Sequence, residues 1–147
     1  MVDDIDLKVL DELMENSRQS FRNIARKLGV STVTVMKHVK TLEKEKIIQN
    51  YSTILDYEKL GYEIDVIVNV RIAHGRFEEV YDKLKNNPNI IAIYDTTGDF
   101  DAAIIAKFKS RRALDAFLKK LQILQNVERT STSFILRILE KKGLKVS

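Results

Sequence analysis

Hydrophobic residues in the first fifty positions recur every three or four residues, which is the spacing of one helix face. The pattern predicts a first helix over 3–16, where clustered acids suit a helix start. A second helix is predicted over 21–28 and a third over about 32–45. Ser20 is a good N-cap for the second helix, and Gly29 suits the left-handed residue that ends it. The chain is therefore expected to open with three helices.

The hydrophobic period changes after the third predicted helix. Residues 47–55 include β-branched and aromatic side chains that favour a strand, and the connection after them ends at Gly61. We place the domain boundary in this stretch. The predicted organisation is a helix-turn-helix domain over 1–50, a linking strand and connection over 51–61, and a second domain over 62–147.

Alternating hydrophobic residues in the second half predict four strands and two helices. The expected strands cover 62–72, 90–97, 101–108 and about 127–139. The helices are expected to start near Phe77 and after Ser110. This βαββαβ order is the ferredoxin-like arrangement. The predicted fold class is α+β, with an N-terminal winged-type helix-turn-helix domain and a C-terminal ferredoxin-like βαββαβ domain.

Two predicted strands are apolar on both faces, at residues 102–106 and 134–136. Such continuous apolar runs are typical of strands that are covered on both sides. The helices cover one face of the sheet, so the other face needs a second layer. The end of the chain, residues 141–147, is polar and short, and a second subunit is the preferred cover. We therefore expect a homodimer.

Composition restricts the possible classes of function. There is no cysteine, and His38 and His74 fall in different predicted domains, so we expect no metal site and no cofactor. The sequence shows no nucleophile–base pair and no glycine-rich phosphate loop, which predicts a protein that is not an enzyme. No stretch approaches the roughly 20 apolar residues of a membrane span. The expected location is the cytoplasm, and His74 is expected to be a turn residue.

Basic residues concentrate in one window of the N-terminal half. Residues 17–50 contain eight basic and two acidic side chains, a balance that favours contacts with phosphates. A helix, a turn with Gly29 and a second helix form a DNA-reading unit, with Ala25 as the small residue where the helices cross. The alternative is a plain three-helix bundle with a solvated outer helix. The candidate DNA-binding residues are Arg22, Ser31, Thr32, Thr34, Lys37, His38, Lys40 and Thr41, and further candidate phosphate contacts are Arg18, Arg26 and Lys27.

Five short segments add a more specific signal. They are residues 2–10, 24–31, 60–62, 97–101 and 127–132. In order and spacing they resemble the Lrp/AsnC (feast/famine) family of bacterial and archaeal transcription regulators, over about residues 2–140. Three positions depart from the family pattern, and one of them is Tyr57, which stands where Pro is common. His38 stands where the family usually has Arg, and Lys46 replaces the usual Gly at the end of the third helix.

The resemblance implies that the second domain senses an amino acid or related metabolite. In the family, effectors bind near the turn at 97–101 and the start of the last strand, where dimers meet. The residues that correspond here are Thr96, Thr97, Gly98, Asp99, Phe100, Asp101, Thr130 and Thr132. From the residues alone, Gly98-Asp99 is ordinary turn chemistry, so a simple hairpin turn is the alternative interpretation.

The resemblance also implies the partners and the location. It describes transcription regulators that bind double-stranded DNA as homodimers and often as octamers, with an effector that modulates their assembly and DNA binding. Such a protein is expected to be nucleoid-associated in the cytoplasm. The alternative function is an architectural nucleoid-type protein that wraps DNA with little sequence specificity.

Overall fold

The computed structural model describes all residues from Met1 to Ser147. The chain forms two compact units. The first contains Met1–Ile54 together with Glu140–Ser147, and the second contains Leu55–Leu139. None of the helices is long and apolar enough to cross a membrane.

The first unit contains the three predicted helices. They are α1 (Asp4–Glu15), α2 (Phe21–Leu28) and α3 (Thr32–Lys44). Each helix starts at a side-chain cap, a short polar residue that accepts a hydrogen bond from an otherwise unpaired backbone N–H. Asp3 and Asp6 form a reciprocal capping box at α1, and Ser20 and Ser31 cap α2 and α3.

The core of the first unit joins one stripe from each helix. Its buried residues are Val9, Leu13, Ile24, Ala25, Val35, Val39 and Leu42. Ala25 is only 3% exposed, and its small side chain suits a site where helices approach closely. Gly29 ends α2 with φ 69°, a left-handed conformation that glycine adopts without a steric penalty. The predicted helix–turn–helix geometry is confirmed.

The end of α3 departs from the usual chemistry. Lys46 takes φ 61°, although a residue with a Cβ is disfavoured in this region. Its conformation lets the backbone N–H groups of Ile47 and Ile48 both donate to the Leu42 carbonyl. A lysine therefore holds the left-handed position that glycine usually fills after a helix.

The predicted strand over 47–55 is wrong, because the whole segment lacks strand structure. A strand needs a neighbour for its backbone groups, and the first unit contains no strand with which it could pair. Ile48 packs against the core of the first unit, but Ile54 near the end of the segment is 93% exposed. The Tyr51 hydroxyl instead donates to Glu43 at 2.8 Å. Burial and this bond raise the pKa of Tyr51 to about 12.

The second unit has the predicted βαββαβ order. Its elements are β1 (Ile64–Ile72), α4 (Phe77–Leu84), β2 (Ile90–Asp95), β3 (Ala102–Phe108), α5 (Arg111–Gln122) and β4 (Val127–Phe134). The sheet order is β2-β3-β1-β4, and every neighbouring pair is antiparallel. The ferredoxin-like prediction is therefore confirmed.

The core of the second unit lies on one face of the sheet. Alternate residues of β1 and β3 pack there against Val80 and Leu84 of α4 and Leu114, Phe117 and Leu121 of α5. The opposite face is not covered by a helix. On it, Lys107 bridges to Asp65 with 2.7 Å between Nζ and Oδ1, and the Lys107 ammonium lies 5.3 Å from the centre of the Tyr57 ring.

The last strand is shorter than predicted, because β4 ends at Phe134 and not near residue 139. Phe134 is opposite Val66 in the pairing with β1, and β1 begins only two residues earlier at Ile64. The Ile135 N–H still donates to the Asp65 carbonyl. Beyond that point β1 offers no further partner, so the apolar run continues without a strand.

Candidate DNA-reading helix and effector cleft

The outer face of α3 presents most of the predicted DNA contacts. Because Val35, Val39 and Leu42 form its buried stripe, the residues on the opposite side face solvent. Five predicted contact residues are exposed there or at the N-cap: Ser31, Thr32, Lys37, Lys40 and Thr41. The Thr41 hydroxyl donates to the Lys37 carbonyl one turn back. Arg22 on α2 is also exposed.

Thr34 and His38 lie at the margin of this face and are half-buried. The Thr34 hydroxyl is 2.8 Å from the Ser31 hydroxyl, and its backbone N–H donates to the same oxygen. The His38 Nδ1 lies 2.6 Å from a carboxylate oxygen of Asp6 on α1. His38 therefore joins α3 to α1, and its ring does not extend outward like the neighbouring lysine side chains.

Asp6 is a buried acidic residue whose carboxylate is held by hydrogen bonds. It is only 7% exposed, and it accepts hydrogen bonds from the Asp3 backbone N–H and from His38. Burial raises the pKa of Asp6, but these hydrogen bonds outweigh burial and hold the pKa below its ordinary value. The carboxylate form therefore stabilises the packing of α1 against α3.

Asp3, Asp6 and His38 are also the one group of side chains whose geometry approaches that of a metal site. One ligand atom from each lies within 4.8 Å of the others. However, Asp3 and Asp6 use carboxylate oxygens in the capping box of α1, and His38 bonds to Asp6. Helix capping and helix contact account for the arrangement without a metal ion.

The basic residues of α2 divide into side chains with a partner and side chains without one. Lys27 forms an ion pair with Glu12 of α1, with 2.6 Å between the charged atoms. The hydrogen bond from Lys27 lowers the pKa of Glu12. Arg26 donates to Asn23 on its own helix. All of these basic residues are exposed, but Lys27 is already paired with a carboxylate, whereas Arg18 and Arg22 form no ion pair.

Two exposed apolar residues on the outer face of α3 were not among the residues singled out from the sequence. Val33 is 58% exposed and Met36 is 49% exposed. Both are apolar, so a search for polar and basic contacts passes over them. Their signal was present in the helical spacing, since neither fits the buried stripe of Val35, Val39 and Leu42.

A polar cleft of about 250 Å³ lies beside the turn between β2 and β3. Its lining residues are Arg71, Ile72, His74, Gly98, Asp99, Asp101 and Glu128. Three of the predicted effector residues, Gly98, Asp99 and Asp101, are among them. The lining carries charges of both signs. His74, expected only as a turn residue, also lines the cleft.

Two of the predicted effector residues hold the turn itself. The Asp101 carboxylate accepts the Ile72 backbone N–H at 2.7 Å, next to the bulge where β1 shifts its pairing with β4. The Thr96 hydroxyl donates to the Phe100 carbonyl. Gly98, with φ 106°, takes a backbone conformation that favours glycine. Asp99 and Thr97 are exposed.

The other predicted effector residues lie away from the cleft lining. The Phe100 ring faces the Arg129 guanidinium at 4.9 Å, a cation–π contact. Thr130 and Thr132 are opposite Val70 and Val68 in the pairing of β4 with β1, which places them on the core face of the sheet. The structure therefore brings together the turn residues but does not bring the two β4 threonines into the cleft.

Comparison with known proteins identifies both units. Residues 2–49 match the model of a winged helix-turn-helix DNA-binding domain, and residues 65–144 match the Lrp/AsnC ligand binding domain. The chain belongs to the Lrp/AsnC family of transcription regulators. The family resemblance predicted from the five motifs is confirmed.

Individual relatives are similar to this Lrp/AsnC chain over nearly its whole length. The HTH-type transcriptional regulator Ptr1 of Methanocaldococcus jannaschii is 39% identical over 147 residues, covering 99% of each chain. An uncharacterized HTH-type transcriptional regulator of Pyrococcus furiosus is 36% identical over 140 residues, covering 95% of each. The regulator NMB0573 of Neisseria meningitidis, solved as an L-Met complex, has a TM-score of 0.91 at 22% identity, covering 97% of this chain and 94% of its own.

Proposed function

We propose that this Lrp/AsnC regulator reads specific duplex DNA sites with α3 and responds to an amino acid or related metabolite bound beside Gly98. The observation that carries the DNA-reading part is the outer face of α3. Lys37 and Lys40 are exposed there together with hydroxyl side chains, and in a helix-turn-helix this helix enters the major groove. Lysines bind phosphates or guanine, and hydroxyls bind phosphates or base edges.

The cleft beside the β2–β3 turn supports a zwitterionic effector. Arg71 and Glu128 form an exposed ion pair with 3.6 Å between Nε and Oε2. Together with Asp99 they give the cleft a cation for a carboxylate and anions for an ammonium group. An α-amino acid carries both groups close together. The L-Met complex of the Neisseria regulator, which shares this fold, supports the same class of ligand.

The uncovered face of the sheet supports a homodimer. Ile67, Ala103 and Ile105 lie on this face and are half-buried, and Tyr94 on the same face is 56% exposed. A second subunit that packs there would remove apolar surface from water. Dimers then bring two copies of α3 to DNA, and association of dimers into an octamer would present more.

Binding-site selection from random duplexes tests the DNA-reading part. We expect one enriched sequence, bound at least 10³-fold more tightly than random duplex at fixed salt, as is typical of specific regulators. Nearly equal affinity for all duplexes would contradict this proposal and favour the architectural alternative. Mass measurement of the free protein in solution tests the homodimer, and a monomer at micromolar concentration would contradict it.

A thermal-shift panel of the twenty amino acids tests the effector part. A ligand that binds only the folded protein raises the melting temperature, so we expect at least one positive shift. That shift should be lost in Asp99→Ala and retained in Asp115→Ala, which removes an exposed aspartate on α5. No shift with any amino acid would contradict the amino-acid proposal.

A further inference from the structure

Val33 and Met36 form a small apolar spot on the outer face of α3. They are 58% and 49% exposed, and their i, i+3 spacing places them side by side on the helix surface. Neither belongs to the core of the first unit, which uses Val35, Val39 and Leu42 from this helix. Their apolar side chains therefore remain available for a partner outside the chain.

The position of the spot favours DNA over a protein partner. Lys37 lies one turn after Val33, and Lys40 lies one turn after Met36. Both lysines are exposed, so the apolar spot is bordered by cations that suit phosphates. Val33 is in the first turn of α3, and the N-terminal residues of a recognition helix are those that reach base edges.

The chemistry of the major groove selects one occupant for such a spot. Among the base-pair edges there, the thymine 5-methyl group is the apolar feature, and the remaining features are hydrogen-bond donors and acceptors. We propose that Val33 and Met36 pack against thymine methyl groups and so specify A·T pairs in each half-site. This inference rests on the proposed DNA-reading function and names the base chemistry that the helix recognises.

Replacing thymine by uracil isolates the proposed contact. The full chain is titrated with its selected duplex and with duplexes in which one thymine at a time is replaced by uracil, which removes only the methyl group. Burial of one such group contributes about 0.8 kcal/mol, equivalent to about a fourfold change in affinity. We expect one or two thymines per half-site to lose about fourfold, and the others to be neutral.

Val33→Ala and Met36→Ala connect the lost methyl group to the protein. Each variant should bind the thymine duplex more weakly than wild type does. A duplex with uracil at the thymine that the replaced side chain contacts should bind the variant and the wild type equally. Alanine favours helices more than valine does, so Val33→Ala is expected to fold. Met14→Ala is the matched control, because Met14 is 51% exposed but lies on α1.

The outcomes separate this inference from the proposed function. Tight, sequence-dependent binding with uniform tolerance of uracil would overturn the inference and leave the DNA-reading function intact. An equal loss on thymine and uracil duplexes in Val33→Ala and Met36→Ala would also overturn it, and would point to a protein contact or a folding effect. Absence of binding to any duplex would overturn both.

Discussion

The outer face of α3 and the cleft beside Gly98 differ in what their polar residues contact. On α3, the buried stripe, the Ser31 cap and the contact of His38 with Asp6 hold the helix, so Lys37 and Lys40 are exposed and are not needed for packing. At the cleft, the Asp101 carboxylate accepts a backbone N–H of β1, and the Thr96 hydroxyl beside the cleft donates to a backbone carbonyl of the turn. A sequence motif of polar residues therefore does not reveal which side chains are free to bind a ligand and which hold the fold. The hydrogen-bond partner of each side chain does reveal it.

Removal of two cations from the outer face of α3 should have the largest effect. Each phosphate contact contributes about 0.9 to the slope of log affinity against log salt. At about 0.1 M salt, this slope corresponds to a nearly tenfold gain in affinity for each contact relative to 1 M salt. We expect Lys37→Ala with Lys40→Ala to weaken binding to the selected duplex by about a hundredfold and to lower the salt slope by about two.

The control for this prediction removes the same charge elsewhere. Lys119→Ala with Lys120→Ala deletes two exposed lysines from α5 of the second unit and should leave the affinity and the salt slope close to wild type. Equal losses in the two double variants would show that total charge matters and that the outer face of α3 does not.

Substitution of the cleft aspartates should show which of them stabilises the fold and which is free. Asp101→Ala removes the acceptor of the Ile72 N–H, and Ile72 is only 7% exposed. An unpaired buried donor costs about 1–3 kcal/mol, so we expect the free energy of unfolding in urea to fall by about 2 kcal/mol. Asp99→Ala is the matched variant, and its stability should stay at the wild-type value. Equal stability in the two variants would contradict the assignment of Asp101 to the turn.

The contact between Asp6 and His38 should give α1 and α3 a stability that depends on pH. Because hydrogen bonds lower the pKa of folded Asp6, its stabilising contribution is present above the unfolded value of about 3.9. It is lost as the pH falls through the folded value. Asp6→Asn should be about 1 kcal/mol less stable than wild type at pH 7, and this difference should shrink below about pH 4. A stability difference between Asp6→Asn and wild type that is constant from pH 7 to pH 3 would contradict this role of the Asp6 carboxylate.

Features that depend on local chemistry were predicted well from the sequence. The three N-terminal helices follow from hydrophobic spacing, and Ser20 and Gly29 mark the ends of α2 because capping is decided by adjacent residues. The βαββαβ order follows from the change of period along the chain. These elements need no knowledge of distant contacts.

Features that depend on distant partners were not predictable. The segment 47–55 has the composition of a strand but no neighbouring strand to pair with in its unit. His38 looked like a DNA contact because its Asp6 partner is 32 positions away in the chain. For the same reason, the cleft residues Arg71 and Glu128 were missed, since folding alone brings β1, β4 and the β2–β3 turn together.

The smallest expected effect concerns the left-handed residues that end α2 and α3. Gly29 and Lys46 have similar φ values of 69° and 61°, but only the lysine has a Cβ that is disfavoured there. Lys46→Gly should therefore raise the free energy of unfolding by about 0.5–1 kcal/mol, because relief of the Cβ clash exceeds the entropy that glycine loses. Urea denaturation measures this change.

Gly29→Ala provides the reverse experiment at the matching position. A Cβ added at Gly29 would meet no atom within 4 Å, so backbone conformation alone should decide the result. We expect a loss of stability of about 1 kcal/mol. If Lys46→Gly instead destabilises the chain while Gly29→Ala behaves as expected, the lysine side chain must contribute a contact that outweighs its backbone strain. The end of α3 would then be stabilised by a contact of the Lys46 side chain.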